Sequence, residues 1–582
     1  MQLANDPQFY KILHLEKQNN KLVPDFSEKD FFFTDLPIDI ETEFNSTLQA
    51  FKNPNWRHPR LNLPAACVFP ARKKRIEQLT GQPLPNFSCP DLDFWRSKLK
   101  STHASLLFAG AYAQNPASVF GHSLIRLSDR SNPQRNSPLL SYVMGFLAST
   151  GDDGSLLRIR KGLLGEYPGY YMIDPFYIKL GIYNNAESRD IWESDLNFTQ
   201  AEIDFLIDHL WEVSHFSKSY FFIGRNCSYQ VLKLFEAIRP ELNLIQRRII
   251  ETLPHDSIRW VEEAGLTSSK PRFYPSLRRK ISERFVQLSA SRQKSLLQAT
   301  HEIKYLDLIE DPAELDLIND YWLLKNYQKK TQLSPQERQL METSLSRRAS
   351  FNIPSPSSQD LIHREQGPPP AYQGHKTRSF RAGINSQDYA EFTFFFGAHG
   401  FDQDEAGFDS FSSIQYLGIQ TYQPHQKKTS ETNFILARIR SFENSSKLDA
   451  KKSWMVNFEY NDTSSLLEER KSRLRFEGAW GFSTELEKLR PYFLFLATAE
   501  TDLTGEHESV LRPGFLTGFK WTSHSYRFII ESSAIEFSNS WHTFQNFIFG
   551  YSLKSNHSIY IQNSNKNFLR QNRLSLNYEI NF

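Results

Sequence analysis

The sequence predicts a multidomain protein in which a mixed α/β N-terminal portion precedes an antiparallel β-barrel. Three observations carry that prediction. The chain has 582 residues, too long for one hydrophobic core and enough for roughly three or four domains. Up to about residue 350 its apolar residues keep helical spacing or form short strand-like runs, and from about residue 376 they alternate with polar ones. The composition is modestly apolar at 39 % but rich in rings, with 47 Phe, 24 Tyr and 10 Trp. No run of about 18 apolar residues occurs, so no transmembrane helix is expected. A barrel would leave no such run, because its strands alternate.

Residues 1–100 mix aromatic residues with Pro and Asn and read as an accessory α/β segment of short elements. Cys67 and Cys89 stand 22 residues apart in it. Spacing alone leaves two readings, a bridge formed in an oxidising compartment or two buried free thiols. Residues 101–245 read as a compact α/β unit with strand candidates in S-L-L-F-A-G-A-Y, V-F-G-H-S-L-I-R-L and L-L-S-Y-V-M-G-F-L-A. The third follows the polar turn S-D-R-S-N-P-Q-R-N-S-P. The stretch K-G-L-L-G-E-Y-P-G-Y-Y reads as a loop, and without a G-K-[ST] ending its glycines do not form a phosphate loop. Thr199 with Glu202 three residues on is a capping box that opens a helix through F-L-I-D-H-L-W-E-V. Residues 246–350 read as polar-amphipathic helix, including A-E-L-D-L-I-N-D-Y-W-L-L-K-N-Y and a helix capped by Ser334. Residues 351–375, with P-S-P-S-S-Q and G-P-P-P-A-Y, read as a linker.

Residues 376–582 carry the period of two. Phe392, Phe394 and Phe396 alternate, as do Trp454, Val456, Phe458 and Tyr460. Leu474, Phe476, Trp480 and Phe482 continue the pattern around Gly478, followed by Phe547, Phe549, Tyr551 and Leu553. A soluble sandwich would bury the apolar face between sheets, whereas a membrane barrel turns it to lipid. About 10–12 antiparallel strands of roughly ten residues fit the barrel, and the rings suit its aromatic girdles. R-L-R-F-E and V-N-F-E-Y would supply a charged, lumen-facing side. The series Leu574, Leu576, Tyr578, Ile580 and Phe582 resembles the closing strand of outer-membrane proteins. A bacterial outer-membrane barrel implies export, a periplasmic place for residues 1–350 and a signal peptide removed ahead of M-Q-L-A-N-D-P-Q-F-Y. It also favours the Cys67–Cys89 disulfide. The formal charge of +2, with no concentrated basic tract, gives nucleic acid no footing.

Cys227, in F-I-G-R-N-C-S-Y-Q-V-L-K-L-F-E-A, precedes a run in which Val231, Leu234, Phe235 and Ile238 mark one helical face. The thiol would therefore sit in a first helical turn, where unsatisfied N–H groups and the helix dipole stabilise a thiolate or an oxyanion. A thiol nucleophile needs a proton acceptor, and among 16 histidines the best placed is His122, inside a strand and behind a Gly. A cysteine ahead of an apolar helix also serves packing, and His103, His209 and His215 compete as bases. The carboxylates of E-S-R-D-I-W-E-S-D are accounted for by surface salt bridges. His209, Glu212 and His215 share only part of a helix face, so neither a metal nor a cofactor is expected.

The order G-H-S-L-I-R, E-S-R-D-I-W-E, H-L-W-E, then N-C-S-Y before a helix resembles the DUF4105 family, also described as the Lnb N-terminal periplasmic domain. The resemblance covers about residues 101–245, with C-V-F-P-A-R upstream and the β-rich C-terminal portion as family-like additions. It implies a permuted papain-like fold of the NlpC/P60 and LRAT-like kind, with His122 and Cys227 as the catalytic pair. A third residue that orients the histidine is usual in that superfamily, but the matching position here is Gly145, which leaves a backbone carbonyl, Ser141 or a residue elsewhere to hold the ring, or a Cys–His dyad without one. The resemblance further implies a thiol acyltransferase or acylhydrolase, anchored in the outer membrane and acting on phospholipid or lipoprotein. The alternatives are a peptidoglycan amidase or endopeptidase of the NlpC/P60 type and a non-enzymatic transport or assembly barrel.

Overall fold

The structure, a computed structural model, describes residues 5–18, 21–112, 120–131, 138–247, 252–329, 332–353, 364, 367–410, 412–424, 430–461, 473–502, 509–537, 540–566 and 571–582. Most of the polar turn after Ser128 and the middle of the expected linker lie outside these residues. The chain forms two compact units that divide near residue 367.

The first unit opens with a hairpin, β1 (Leu15–Gln18) and β2 (Lys21–Pro24). Its centre is a seven-stranded antiparallel sheet of β3 (His103–Ala109), β4 (His122–Ser128), β5 (Tyr142–Ala148), β6 (Tyr167–Pro175), β7 (Ile191–Asp195), β8 (Lys218–Tyr220) and β9 (Arg272–Tyr274). The strand order is β8-β6-β5-β4-β3-β7-β9. Because β9 joins this sheet, the expected division near residue 245 falls inside one compact unit, as does the one near residue 100. The helix Gln200–Ser214 carries the capping box of Thr199 and Glu202, and Ser334 with Glu337 builds a second box ahead of Pro335–Ala349. Cys67 and Cys89 form a disulfide with their Cα atoms 5.4 Å apart.

The stretch read as a loop, K-G-L-L-G-E-Y-P-G-Y-Y, is instead the end of the helix Ser155–Leu164 followed by β6. Its glycines serve other purposes than a loop. Gly165, at φ 72°, closes the helix in the left-handed region. Gly169 lets β6 approach β5, since a Cβ there would lie 2.4 Å from the Phe146 ring. The period of two is present but short: Tyr167, Gly169 and Tyr171 are buried, and Pro168, Tyr170 and Met172 are exposed.

The second unit is a closed barrel of twelve strands, from β10 (Ser379–Asn385) and β11 (Tyr389–His399) to β21 (Gln571–Asn581), each antiparallel to the next. β21 pairs back onto β10, which leaves no edge strand. Strand β17 (Val510–Ser523) displays the two-sided pattern: Arg512, Gly514, Leu516 and Lys520 point inward, and Leu511, Phe515 and Trp521 point outward. Phe476, Trp480, Phe482, Phe493 and Phe495 extend the apolar outer face. Inside, Arg440 of β13 (Glu431–Ser441) reaches Glu531 of β18 (Tyr526–Phe537) at 2.7 Å, a pair that crosses the lumen.

Candidate active site

Local structure holds Cys227 in place. It is the first residue of the helix Cys227–Ile238, all of whose residues are buried and which packs on β4 and β5. Asn226 is the N-cap: its Oδ1 accepts from the N–H groups of Ser228 and Tyr229 at 3.1 and 3.2 Å. Its amide donates to the Thr252 carbonyl at 2.7 Å, which fixes the cap from a second segment. The Cys227 thiol lies 4.0 Å from the Ser228 hydroxyl, and the N–H groups of Ser123 and Ser228 and the Tyr220 hydroxyl favour its charged form. Ser123 follows His122 directly, so the two residues singled out in the sequence are neighbours in the fold.

His122 is the first residue of β4 and is 3 % exposed. Gly121, at φ 97°, precedes it, and a Cβ there would lie 2.8 Å from the Phe108 ring. The Tyr183 ring lies beside the imidazole, with centroids 5.8 Å apart. Nε2 is buried and has no hydrogen-bond partner among the described residues. It faces Gly145, where a Cβ would stand 3.6 Å from Nε2 but only 2.5 Å from Cδ2 of Leu124. The space that an orienting side chain would need is thus filled by Leu124.

Burial dominates the electrostatics. It lowers the His122 pKa from 6.5 to about 3, with the cations of Arg189 and Lys179 adding to the effect. Burial also pushes the Cys227 thiol up, against the opposing hydrogen bonds from Ser123, Ser228 and Tyr220. Burial thus works against the thiolate that the first helical turn is expected to stabilise, and favours the neutral thiol and the neutral imidazole.

The competing histidines have other partners. His209 lies between Glu212 at 2.9 Å and His14 at 3.0 Å, and His215 meets the Trp211 carbonyl at 2.6 Å. His103 meets the Thr102 hydroxyl at 2.9 Å. Two carboxylates of E-S-R-D-I-W-E-S-D are buried, contrary to a surface reading: Glu193 pairs with Arg126 at 2.9 Å, and Asp195 pairs with Arg272 at 2.6 Å. Spacing did not reveal Tyr220, Tyr183 or Arg189. Arg189 binds the Ala109 and Gly110 carbonyls at 3.0 and 2.7 Å and lies over the Tyr183 ring. The only sequence signal for it was its place in the E-S-R-D motif, and Ser123 and Ser228 were likewise visible only as motif letters.

Residues 91–264 match the family described as the Lnb N-terminal periplasmic domain. Residues 1–78 and 368–582 match two domains of unknown function, DUF7843 and DUF7840. No curated protein matches the chain. Among solved structures, the chain is similar to the NanC porin at 11 % identity and a TM-score of 0.24, covering 35 % of this chain and 98 % of that one. It is also similar to the outer membrane protein Omp33 of Acinetobacter baumannii at 11 % identity and a TM-score of 0.20, covering 36 % and 100 %. The periplasmic domain and the lipid-facing barrel place the protein in the bacterial outer membrane, with its N-terminal portion in the periplasm.

Proposed function

Starting from the Lnb N-terminal periplasmic domain that this chain carries, we propose that the protein is a membrane-anchored thiol enzyme of acyl transfer, acting on phospholipid or lipoprotein. The observation that carries the reading is the constellation at Cys227: a thiol at a helix N-terminus, a histidine one residue from its N–H donor, and a Tyr hydroxyl on the sulfur. A helix cysteine preceded in the chain by a strand histidine is also the order that the permuted papain-like resemblance implies.

In the first step Sγ attacks the acyl carbonyl while the thiol proton passes to His122. The S–C bond forms, the donor's ester or amide bond breaks, and the leaving group takes that proton. The acceptor, water or an amine, then gives a proton to His122 and attacks the thioester. Sulfur leaves and is reprotonated. Tyr220 and the N–H groups of Ser123 and Ser228 offset the charge that builds up on sulfur and oxygen.

The lipid side of the reading is supported by exposed apolar residues near the site. Met172 pairs with Gly145, the residue that His122 faces, and both Met172 and Tyr170 are exposed. Leu157, Ile159, Leu163 and Leu164 are exposed on the helix Ser155–Leu164, interleaved with Arg158, Arg160 and Lys161. That helix reaches the site through Phe222, whose N–H donates to the Gly162 carbonyl at 2.8 Å. Apolar residues with interspersed cations suit an acyl chain with an anionic headgroup better than a glycan peptide.

The test is turnover of acyl-labelled phospholipid vesicles by the full chain, with trapping of a hydroxylamine-labile thioester on Cys227. Cys227→Ala and His122→Ala should each abolish turnover while the chain still folds, as a cooperative thermal melt shows. Turnover that survives Cys227→Ala, or that proceeds without a thioester, would falsify the reading.

A further inference from the structure

The barrel contains a segment that its strands do not require. At the end where the chain enters, β17 and β18 are joined by His524 and Ser525 alone, and β19 (Ser540–Lys554) and β20 (His557–Lys566) by Ser555 and Asn556. By contrast β11 and β12 (Ser412–Pro424) are separated by Gly400 to Phe411, and the described part of that connection, Gly400–Ser410, turns into the lumen. Short connections are the norm at the periplasmic end of such barrels.

Side chains of several strands hold this segment. Asp402 pairs with Arg381 of β10 at 2.8 Å, and its carbonyl accepts from Arg527 of β18 at 2.9 Å. Glu405 pairs with Arg490 of β16 (Leu489–Asp502) at 2.7 Å and with Lys520 of β17 at 2.6 Å. Asp404 faces Arg527 at 3.7 Å, and Gln403 donates to Glu579 of β21 at 2.9 Å. The Phe401 ring packs between Phe442 and Tyr492, with centroids 5.3 and 6.0 Å away, and the Arg440 guanidinium of β13 lies 4.8 Å from it. Phe408 stacks on His375 and His399, each at 4.4 Å. Gly407 meets the backbone of Gly374, where a Cβ would lie 2.8 Å from the nitrogen. Strands β10, β13, β16, β17, β18 and β21 surround the lumen, so a segment in contact with all of them spans its width.

We infer that Gly400–Ser410 is a plug that closes the periplasmic mouth of the barrel. The barrel at rest is a sealed anchor and not an open pore. Asp402, Asp404 and Glu405 supply the counter-charge that lets Arg381, Arg490, Lys520 and Arg527 converge inside a low-dielectric wall. An apolar layer lies next to Phe401, built from Phe442, Met455, Tyr492, Leu494, Leu516 and Ile535. Removing the carboxylates leaves Lys520 and Arg527 without an acidic partner among the described residues, leaves Arg381 to Glu579 and Arg490 to Glu485, and frees the segment from the wall. This assignment is independent of the thiol chemistry.

The experiment is conductance of the full chain in planar bilayers of phosphatidylethanolamine and phosphatidylglycerol. It compares the wild type with Asp402→Asn/Glu405→Gln and with a variant in which a short Gly-Ser turn replaces residues 401–409. Heat-modifiable migration on a gel reports that each barrel is folded. The wild type should hold a closed baseline. The charge variant should lose it in bursts, and the turn variant should lose it steadily. Should the turn variant fail to fold, the charge variant decides alone. Steady conductance by the wild type overturns the assignment, as does silence of every folded variant.

Discussion

His122 and Cys227 sit where burial decides the chemistry. Because His122 titrates near 3 in the folded chain, it is unprotonated throughout the neutral range, and kcat/KM should lack an acid limb near pH 6.5. The same depression bears on stability. Between its unfolded value of 6.5 and its folded value of about 3, the unfolded chain binds the proton and the folded chain does not. The contribution of His122 is thus complete above pH 6.5 and drains away as the pH falls towards 3. Denaturant melts of His122→Ala should lose less stability than wild type between about pH 6.5 and 4. Asn226 is the most economical probe of the site's scaffold. Asn226→Ala removes both cap bonds and the tie to Thr252, and should cost about 1–2 kcal/mol in denaturant melts. Cys227 and His122 were legible because motif letters and helix spacing carry them. The partners of the thiol were not, since Tyr220 arrives on a three-residue strand with no periodicity of its own.

At the level of elements, what was legible followed the strength of the local signal. Both capping boxes and the helix of Cys227 match their sequence patterns, because caps and apolar faces are written in adjacent residues. Strand β6 was missed because Gly165 ahead of it, which ends a helix, and Gly169 within it, which allows a close packing contact, resemble loop punctuation. The N-terminal hairpin was not foreseen as a strap. Asp25 pairs with Lys218 at 3.4 Å, Lys218 reaches Gln230 on the Cys227 helix at 2.7 Å, and all three are buried. Lys218→Met would leave the buried Asp25 carboxylate to Gln230 at 2.7 Å and Arg225 at 3.6 Å, and should destabilise the first unit by roughly 1–3 kcal/mol in urea titrations. The disulfide staples a neighbouring segment. Replacing Cys67 and Cys89 with Ser should cost about 3 kcal/mol by releasing a loop of that length in the unfolded chain.

For the whole molecule, the alternation of rings over some two hundred residues was enough to anticipate a closed barrel, since no other part of the chain sustains a period of two. The lumen was not legible: pairs such as Arg440–Glu531 join residues 91 positions apart, and nothing in the local pattern links them. The lipid face yields a direct test. Phe495 is exposed in the middle of β16 beside Trp480 and Phe515. Phe495→Arg should cost about 2–4 kcal/mol when folding is measured into vesicles, as expected for a cation near the bilayer midplane. The parity of the barrel has a further consequence. An even number of strands returns the chain to the compartment it came from, so the β10–β11 turn, residues 386–388, lies at the exterior end of the barrel. An antibody, phage or protease approaching from outside meets that end of the barrel. The thiol and everything built around it are invisible from there, and selection by such agents acts on a surface that has no share in the chemistry.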